Sequence, residues 1–123
     1  MKISHTAVDS NIQVVAVSGR FTIGEESLEV ERIMDGLLAK KERRFVFDLS
    51  GVEFIDSSCL GILVNCLRKA KTAGGELRVV ASPRVTGIIK VVRLDTILPL
   101  YAAMAPACEH FASEEESGPL GAS

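Results

Sequence analysis

Two adjacent serines follow an aspartate at Asp56-Ser57-Ser58, where a β-like run gives way to an apolar pattern of helical period. Residues 52–55 are mostly β-branched or aromatic, and apolar residues recur at helical spacing from Leu60 onward. Asp and Ser are preferred N-cap residues, because their oxygens accept hydrogen bonds from the free N–H groups of the first helical turn. The same position carries about half a positive charge, so it also tolerates a phosphate on a serine. These residues therefore have two interpretations, a helix cap and a modification site.

Other catalytic patterns fail on their spacing. A phosphate-binding P-loop needs G-x-x-x-x-G-K-[S/T]; Gly19 and Gly24 have the glycine spacing, but two glutamates follow. Phosphatases with a C-x5-R motif need an arginine six positions after the reactive cysteine, and Asn65 stands there after Cys59. We therefore find no motif of phosphate-transfer catalysis.

The three cysteines and two histidines form no recognisable constellation. Cys59, Cys66 and Cys108 have no paired spacing, and His5 and His110 lie far apart in the sequence. Cys59 falls near a predicted helix N-terminus, where a thiol pKa can be lowered, so an enzyme that uses this cysteine is one alternative. Free cysteines more commonly pack as small core residues. We predict a protein that is not an enzyme and that holds no metal and no cofactor.

The bulk composition favours one ordinary globular domain. The chain has 123 residues and a net charge of −2, so no basic field indicates direct binding to nucleic acid. The basic cluster at 40–44 is broken by an acid and is typical of a solvated helix end. No apolar run reaches the roughly 18 residues of a membrane span, and residues 1–5 contain no apolar signal-peptide core. Together with unpaired cysteines, this predicts a cytoplasmic protein without membrane contact.

Alternating patterns predict an α/β fold with the element order ββαβαβαβα. The sheet is mixed, and about four helices flank it mainly on one side. We predict strands at 2–8, 11–19, 45–49, 77–81 and 97–101, and helices that begin near residues 24, 57, 82 and 105. The strand at 45–49 ends at Ser50-Gly51, the second helix ends at 73–75, and the last helix runs to about residue 112.

The helices have predicted inner faces, each an apolar stripe of 3.6-residue period. These faces comprise Val30, Ile33, Met34 and Leu37; Leu60, Leu63, Val64 and Leu67; and Val85, Ile88, Ile89 and Val92. Residues 14–17 are apolar at every position, which indicates a strand covered on both faces. From residue 113 the sequence is acidic and aperiodic, and we expect a flexible tail at 113–123.

The stretch FIDSSCLGILVNCLRKAKTAGGELRVV resembles the central signature of the STAS domain family, particularly the bacterial anti-sigma factor antagonists. The resemblance extends through VVAVSGRFT, FVFDLSGVEFIDSS and SPRVTGIIKVVRLDTILPLY, and it implies a STAS-like domain over residues 3–112. Gly61 matches the second glycine of the family motif. Cys59 stands where the motif has its first glycine, a residue that permits close approach of a partner backbone.

This resemblance implies a protein-binding module that is switched by phosphorylation. The unphosphorylated domain would bind an anti-sigma factor with serine kinase activity, and a serine phosphatase would restore that state. Ser58 matches the usual phosphate acceptor, with Ser57 as the alternative, and the implied partner-binding residues are Asp56, Ser57, Ser58, Cys59 and Gly61. We expect a monomer or weak dimer. The alternative function is an accessory subunit of a transporter or signalling complex that is never phosphorylated.

Overall fold

The chain forms a five-stranded sheet with four α-helices in a computed structural model that describes residues 1–9, 11–109 and 111. The strands are β1 Lys2–Val8, β2 Ile12–Phe21, β3 Arg44–Ile55, β4 Glu76–Ala81 and β5 Leu100–Tyr101. The helices are α1 Glu25–Ala39, α2 Ser57–Thr72, α3 Pro83–Val91 and α4 Met104–Cys108, and a 3-10 turn, Leu94–Thr96, separates α3 from β5. The predicted order ββαβαβαβα is confirmed.

The sheet is mixed, as predicted. Its strand order is β1-β2-β3-β4-β5, with β1 antiparallel to β2 and every later pair parallel. The carboxyl ends of β2, β3, β4 and β5 therefore meet at one edge of the sheet. Since β2 and β3 are neighbours, the loop that leads into α1 and the junction that leads into α2 lie side by side.

Three helices cover one face of the sheet and one short helix packs on the other. The large core combines residues of α1, α2 and α3 with one face of the strands, and its members include Met34, Leu63 and Ile89, all fully buried. On the opposite face Ala107 of α4 packs near Val46. This confirms the prediction that the helices flank the sheet mainly on one side.

The prediction that β3 ends at Ser50-Gly51 is wrong. The strand continues to Ile55, with Gly51 paired opposite Ser18 of β2 and register shifts in the adjoining ladder. A Cβ on Gly51 would lie 2.9 Å from the Cβ of Ser18, so this glycine allows close approach of two strands and does not terminate one. This extension carries the chain as far as Asp56.

The carboxyl-terminal half departs from the predicted helix and strand lengths. The prediction that Val92 lies on the inner face of α3 is wrong: the helix ends at Val91, and Val92 is its C-cap and 48% exposed. Arg93 then adopts a left-handed conformation with φ 64°. The predicted strand at 97–101 is confined to Leu100–Tyr101, since residues before it form the 3-10 turn. Within the described residues the last helix ends at Cys108 and Glu109 is extended (φ −94°, ψ 153°), so the predicted continuation of this helix to about residue 112 is wrong. The predicted tail at 113–123 lies outside the described residues.

Two further patterns are confirmed in large part. Among residues 14–17 all but Ala16, which is half-buried, are buried. On α1 and α2 the predicted inner faces are buried except Ile33 and Val64, which are partly exposed. No α-helix in the described ranges is long and apolar enough to cross a membrane.

Candidate functional site

Asp56 is the N-cap of α2, which confirms the capping interpretation of this residue. Its backbone is extended (φ −91°, ψ 171°), and its Oδ1 atom accepts a hydrogen bond of 2.8 Å from the N–H of Cys59. An N-cap carboxylate stabilises a helix because it pairs a free N–H group and opposes the positive end of the dipole. The helix ends at Thr72 with Ala73 as its C-cap, and Gly74 follows with φ 84°, as the Gly-Gly sequence predicts.

The second carboxylate oxygen of Asp56 joins α2 to the loop between β2 and α1. Oδ2 accepts a hydrogen bond of 2.9 Å from the N–H of Ile23, and the N–H of Asp56 donates to the carbonyl of Phe21 at 3.2 Å. The pKa of Asp56 is lowered below 3.8, first by the N–H of Ile23 and then by that of Cys59. The carboxylate is therefore ionised at neutral pH and held from two sides.

Ser57 and Ser58 form the start of α2, and both are exposed. Gly61 is exposed one turn later, and a Cβ built on it would meet nothing within 4 Å. Two serines and a glycine therefore lie together on the exposed side of the first turns of α2. Asp56, beside them, is half-buried.

Cys59 points in the opposite direction, into the core. It is fully buried, and burial, followed by the hydrogen bond and negative charge of Asp56, raises the pKa of its thiol to about 12. The possibility that the helix N-terminus lowers this pKa is thus not realised, and the thiol packs as a small core group. Its side chain leaves the outer surface of the turn unobstructed.

Ser27 is a buried residue of this region that the sequence analysis missed. Its Oγ accepts a hydrogen bond of 2.8 Å from the N–H of Gly24 and donates to the carbonyl of Gly24 at 2.7 Å, which closes the first turn of α1. The same hydroxyl hydrogen-bonds the thiol of Cys59 and opposes the rise of its pKa. A serine three positions after the glycine that precedes an acidic helix start is the signal that could have indicated it.

The loop before α1 and the first turn of α1 each expose one apolar side chain. Ile23 is 57% exposed and Leu28 is 44% exposed. They occupy the N′ and N4 positions about the Gly24 cap, the spacing of a hydrophobic staple. The surface beside the two serines is therefore partly apolar.

Ion pairs between α1 and α2 fix the helix that carries the serines. Lys69 Nζ lies 2.9 Å from Asp35 Oδ1 and 3.2 Å from Glu31 Oε2. The hydrogen bond to Asp35, followed by that to Glu31, raises the pKa of Lys69. Across the described ranges no group of three or more His, Cys, Asp or Glu side chains is placed to hold a metal ion.

Comparison with known proteins places this site in a family context. One relative is a Thermotoga neapolitana protein whose name, anti-sigma factor antagonist, is an inferred one. It is 33% identical to this chain over 78 residues, which cover 63% of this chain and 69% of that protein. A crystal structure of a protein so named from Thermotoga maritima superposes with a TM-score of 0.78 at 27% identity, covering 87% of this chain and 92% of the other.

A third comparison agrees with these two. The crystal structure of an anti-sigma factor antagonist from Mycobacterium paratuberculosis superposes with a TM-score of 0.73 at 30% identity, covering 86% of this chain and 89% of the other. The sequence model of the STAS domain matches residues 5–107, which include the end of β1, the whole of β2 to β5, α1 to α3 and the Asp56–Gly61 turn. The chain belongs to the STAS domain family.

Proposed function

We propose that this protein is an anti-sigma factor antagonist whose binding is switched off by phosphorylation of Ser58, with Ser57 as the alternative acceptor. The partner is an anti-sigma factor with serine kinase activity, and a serine phosphatase returns the protein to its binding state. Relatives named as anti-sigma factor antagonists support this assignment. The partner-binding surface comprises Asp56, Ser57, Ser58 and Gly61, with the buried Cys59 supporting the turn from below.

One observation carries the proposal: Asp56 already provides the cap of α2. The two serine hydroxyls are exposed on the first turn and are not needed for capping, so the cap does not account for them. They are instead accessible to a kinase. Modification there changes the surface without requiring a buried group to be uncovered.

The charge of the turn explains how phosphate opposes binding. A phosphoserine carries about −1.5 to −2 charges at neutral pH, and Asp56 beside it is ionised because its pKa is lowered. About three negative charges would then meet at one end of α2. A partner surface that accepts the neutral serines would have to desolvate this charge, and a cost of about 2.7 kcal/mol weakens binding a hundredfold.

The test uses the serine-kinase anti-sigma factors of the same organism, each mixed with this protein and ATP. We expect one of them to add a single phosphate to the wild type and to Ser57→Ala, but none to Ser58→Ala, as read by mass spectrometry. Affinity measured by calorimetry should fall about a hundredfold after modification and recover on phosphatase treatment. Equal phosphorylation of Ser58→Ala would move the acceptor to Ser57 or elsewhere. Binding to a transporter or signalling protein without phosphorylation would instead establish the accessory-subunit function.

A further inference from the structure

We infer that the exposed side chains of Ile23 and Leu28, here called the Ile23–Leu28 patch, form the apolar part of the surface that contacts the kinase. This inference rests on the proposed function and extends it, because neither residue belongs to the Asp-Ser-Ser motif. Both lie on a different segment of the chain, between β2 and the first turn of α1.

A hydrogen bond places Ile23 beside the phosphate acceptor, and Leu28 follows five residues later in the first turn of α1. The N–H of Ile23 bonds to Asp56 Oδ2 at 2.9 Å, and Asp56 immediately precedes the two serines. A kinase must bring its nucleotide within about 3–3.5 Å of the serine hydroxyl. A standard interface covers about 800 Å² on each partner, a disc of about 16 Å radius. A surface one hydrogen bond from Asp56 therefore lies inside the area that the kinase covers.

Exposure and chemistry suit the patch to the centre of such an interface. Ile23 is 57% exposed and Leu28 is 44% exposed, whereas the residues around them, such as Gly24 and Glu26, are small or charged. Apolar side chains that lose water on binding supply affinity, and charged groups at the rim supply little. The partner segment that fits is accordingly apolar and adjoins the kinase's nucleotide site.

The patch has a second role in the free protein that must be separated from the first. At the N′ and N4 positions of α1, Ile23 and Leu28 have the spacing of a hydrophobic staple, which fixes the direction in which the chain enters a helix. A staple acts on the stability of the free protein. Contact with the kinase acts only on the complex, so measurements of stability and of affinity distinguish the two roles.

Ile97 offers a matched control. It is the same residue type and 48% exposed, but it precedes β5 and so lies toward the amino-terminal edge of the parallel strands. Ile23 follows β2 at the carboxyl-terminal edge. Ile97→Ser therefore removes similar apolar surface at the edge of the sheet opposite to the one where Asp56 lies.

The experiment measures binding of the full chain to the anti-sigma kinase that phosphorylates the wild type, by calorimetry with ADP present. We expect about a tenfold or greater loss of affinity for Ile23→Ser and for Leu28→Ser, and less than a twofold change for Ile97→Ser. Ile23→Ala and Leu28→Ala serve where the serine variants unfold. In kinase assays KM for the variants should rise, while phosphate is still added to Ser58 at saturating concentrations.

Two outcomes would overturn the inference in distinguishable ways. If both patch variants bind as tightly as the wild type, or lose no more affinity than Ile97→Ser, the patch is only a staple and the proposed function stands. If the wild type neither binds nor is phosphorylated by any such kinase, the proposed function fails and this inference fails with it.

Discussion

The Oδ2 atom of Asp56 accepts a hydrogen bond of 2.9 Å from the N–H of Ile23, a residue 33 positions earlier in the chain. The other oxygen of the same carboxylate caps α2 through the N–H of Cys59 at 2.8 Å. One side chain therefore holds the start of α2 and the loop before α1 in a fixed relation. The two segments that we assign to the partner surface share this anchor.

We predict that Asp56→Asn lowers the free energy of unfolding by about 1 kcal/mol, because an amide can replace only one of the two acceptor oxygens. The folded pKa of Asp56 is lowered below 3.8, so the unfolded chain binds its proton more readily. The stabilisation is present above the unfolded pKa and is lost as the pH falls through the folded value. Urea unfolding should therefore show that the difference in the free energy of unfolding between wild type and Asp56→Asn is smaller at about pH 2 than at about pH 6. An equal difference at the two pH values would contradict the assignment.

Gly61→Ala should make the protein more stable and a poorer binder. A Cβ at Gly61 meets nothing within 4 Å, so alanine should raise the free energy of unfolding by about 0.5–1 kcal/mol. On the exposed face of α2 the same Cβ would hold a partner backbone away. Gly36→Ala on α1, equally unobstructed, is the control that should gain stability with unchanged affinity. If the two variants bind alike, no close approach occurs at Gly61.

Cys59→Gly, which restores the glycine of the family motif, should destabilise the protein without improving binding. The fully buried thiol would leave a void and the helix would gain a glycine, at a combined cost of about 2 kcal/mol. Since the thiol points into the core, affinity for the kinase should change less than twofold. A marked gain in affinity would show that the side chain reaches the partner surface after all.

A second measurement on the same residue follows from its pKa. Burial and the carboxylate of Asp56 raise the pKa of the Cys59 thiol to about 12, so almost no thiolate exists near neutral pH. We expect alkylating reagents at about pH 8 to leave Cys59 unmodified in the native protein and to modify it after unfolding. Peptide mapping by mass spectrometry reports both states, and rapid native modification would contradict the buried placement.

Phosphorylation of Ser58 should leave the sheet unchanged. An anion at a helix N-terminus is favoured by about 0.3–1 kcal/mol, but the carboxylate of Asp56 already accepts from the N–H of Cys59 and repels a second anion. These effects oppose each other, so the free energy of unfolding should change by about 1 kcal/mol at most. Amide shifts should be confined to residues 56–61 and to Ile23. Shifts spread through β1 or α4 would show a conformational switch.

The sequence was sufficient for features that depend on local pattern. Helical periodicity located α1 and α2, and the residue types at Asp56-Ser57-Ser58 located a helix start with exposed hydroxyls. It was also sufficient for the family, because the motifs recur in order along most of the chain. Each of these periodic patterns and motifs is formed by residues that lie close together in the sequence.

Features that depend on distant segments were not predictable. The bond from Ile23 to Asp56 has no local signal, because the two residues meet only when β2 and β3 pair. The Ser50-Gly51 pair predicts a strand end, whereas the absence of a Cβ at Gly51 allows Ser18 to approach across the ladder. The inward direction of Cys59 depends on the rotation of α2 against the core, which residue type alone does not determine.

Strand order in the sheet is identical to strand order in the chain, from β1 to β5. During synthesis from the amino terminus, each new strand can therefore add to an edge that has just formed, and no earlier pair must open to admit a later strand. The edge that receives each new strand moves along the sheet as the chain grows and finishes at β5, which has only two residues, while β1 stays at the opposite edge. So short a strand offers few free N–H and C=O groups, which limits pairing with another nascent chain at the β5 edge of the sheet.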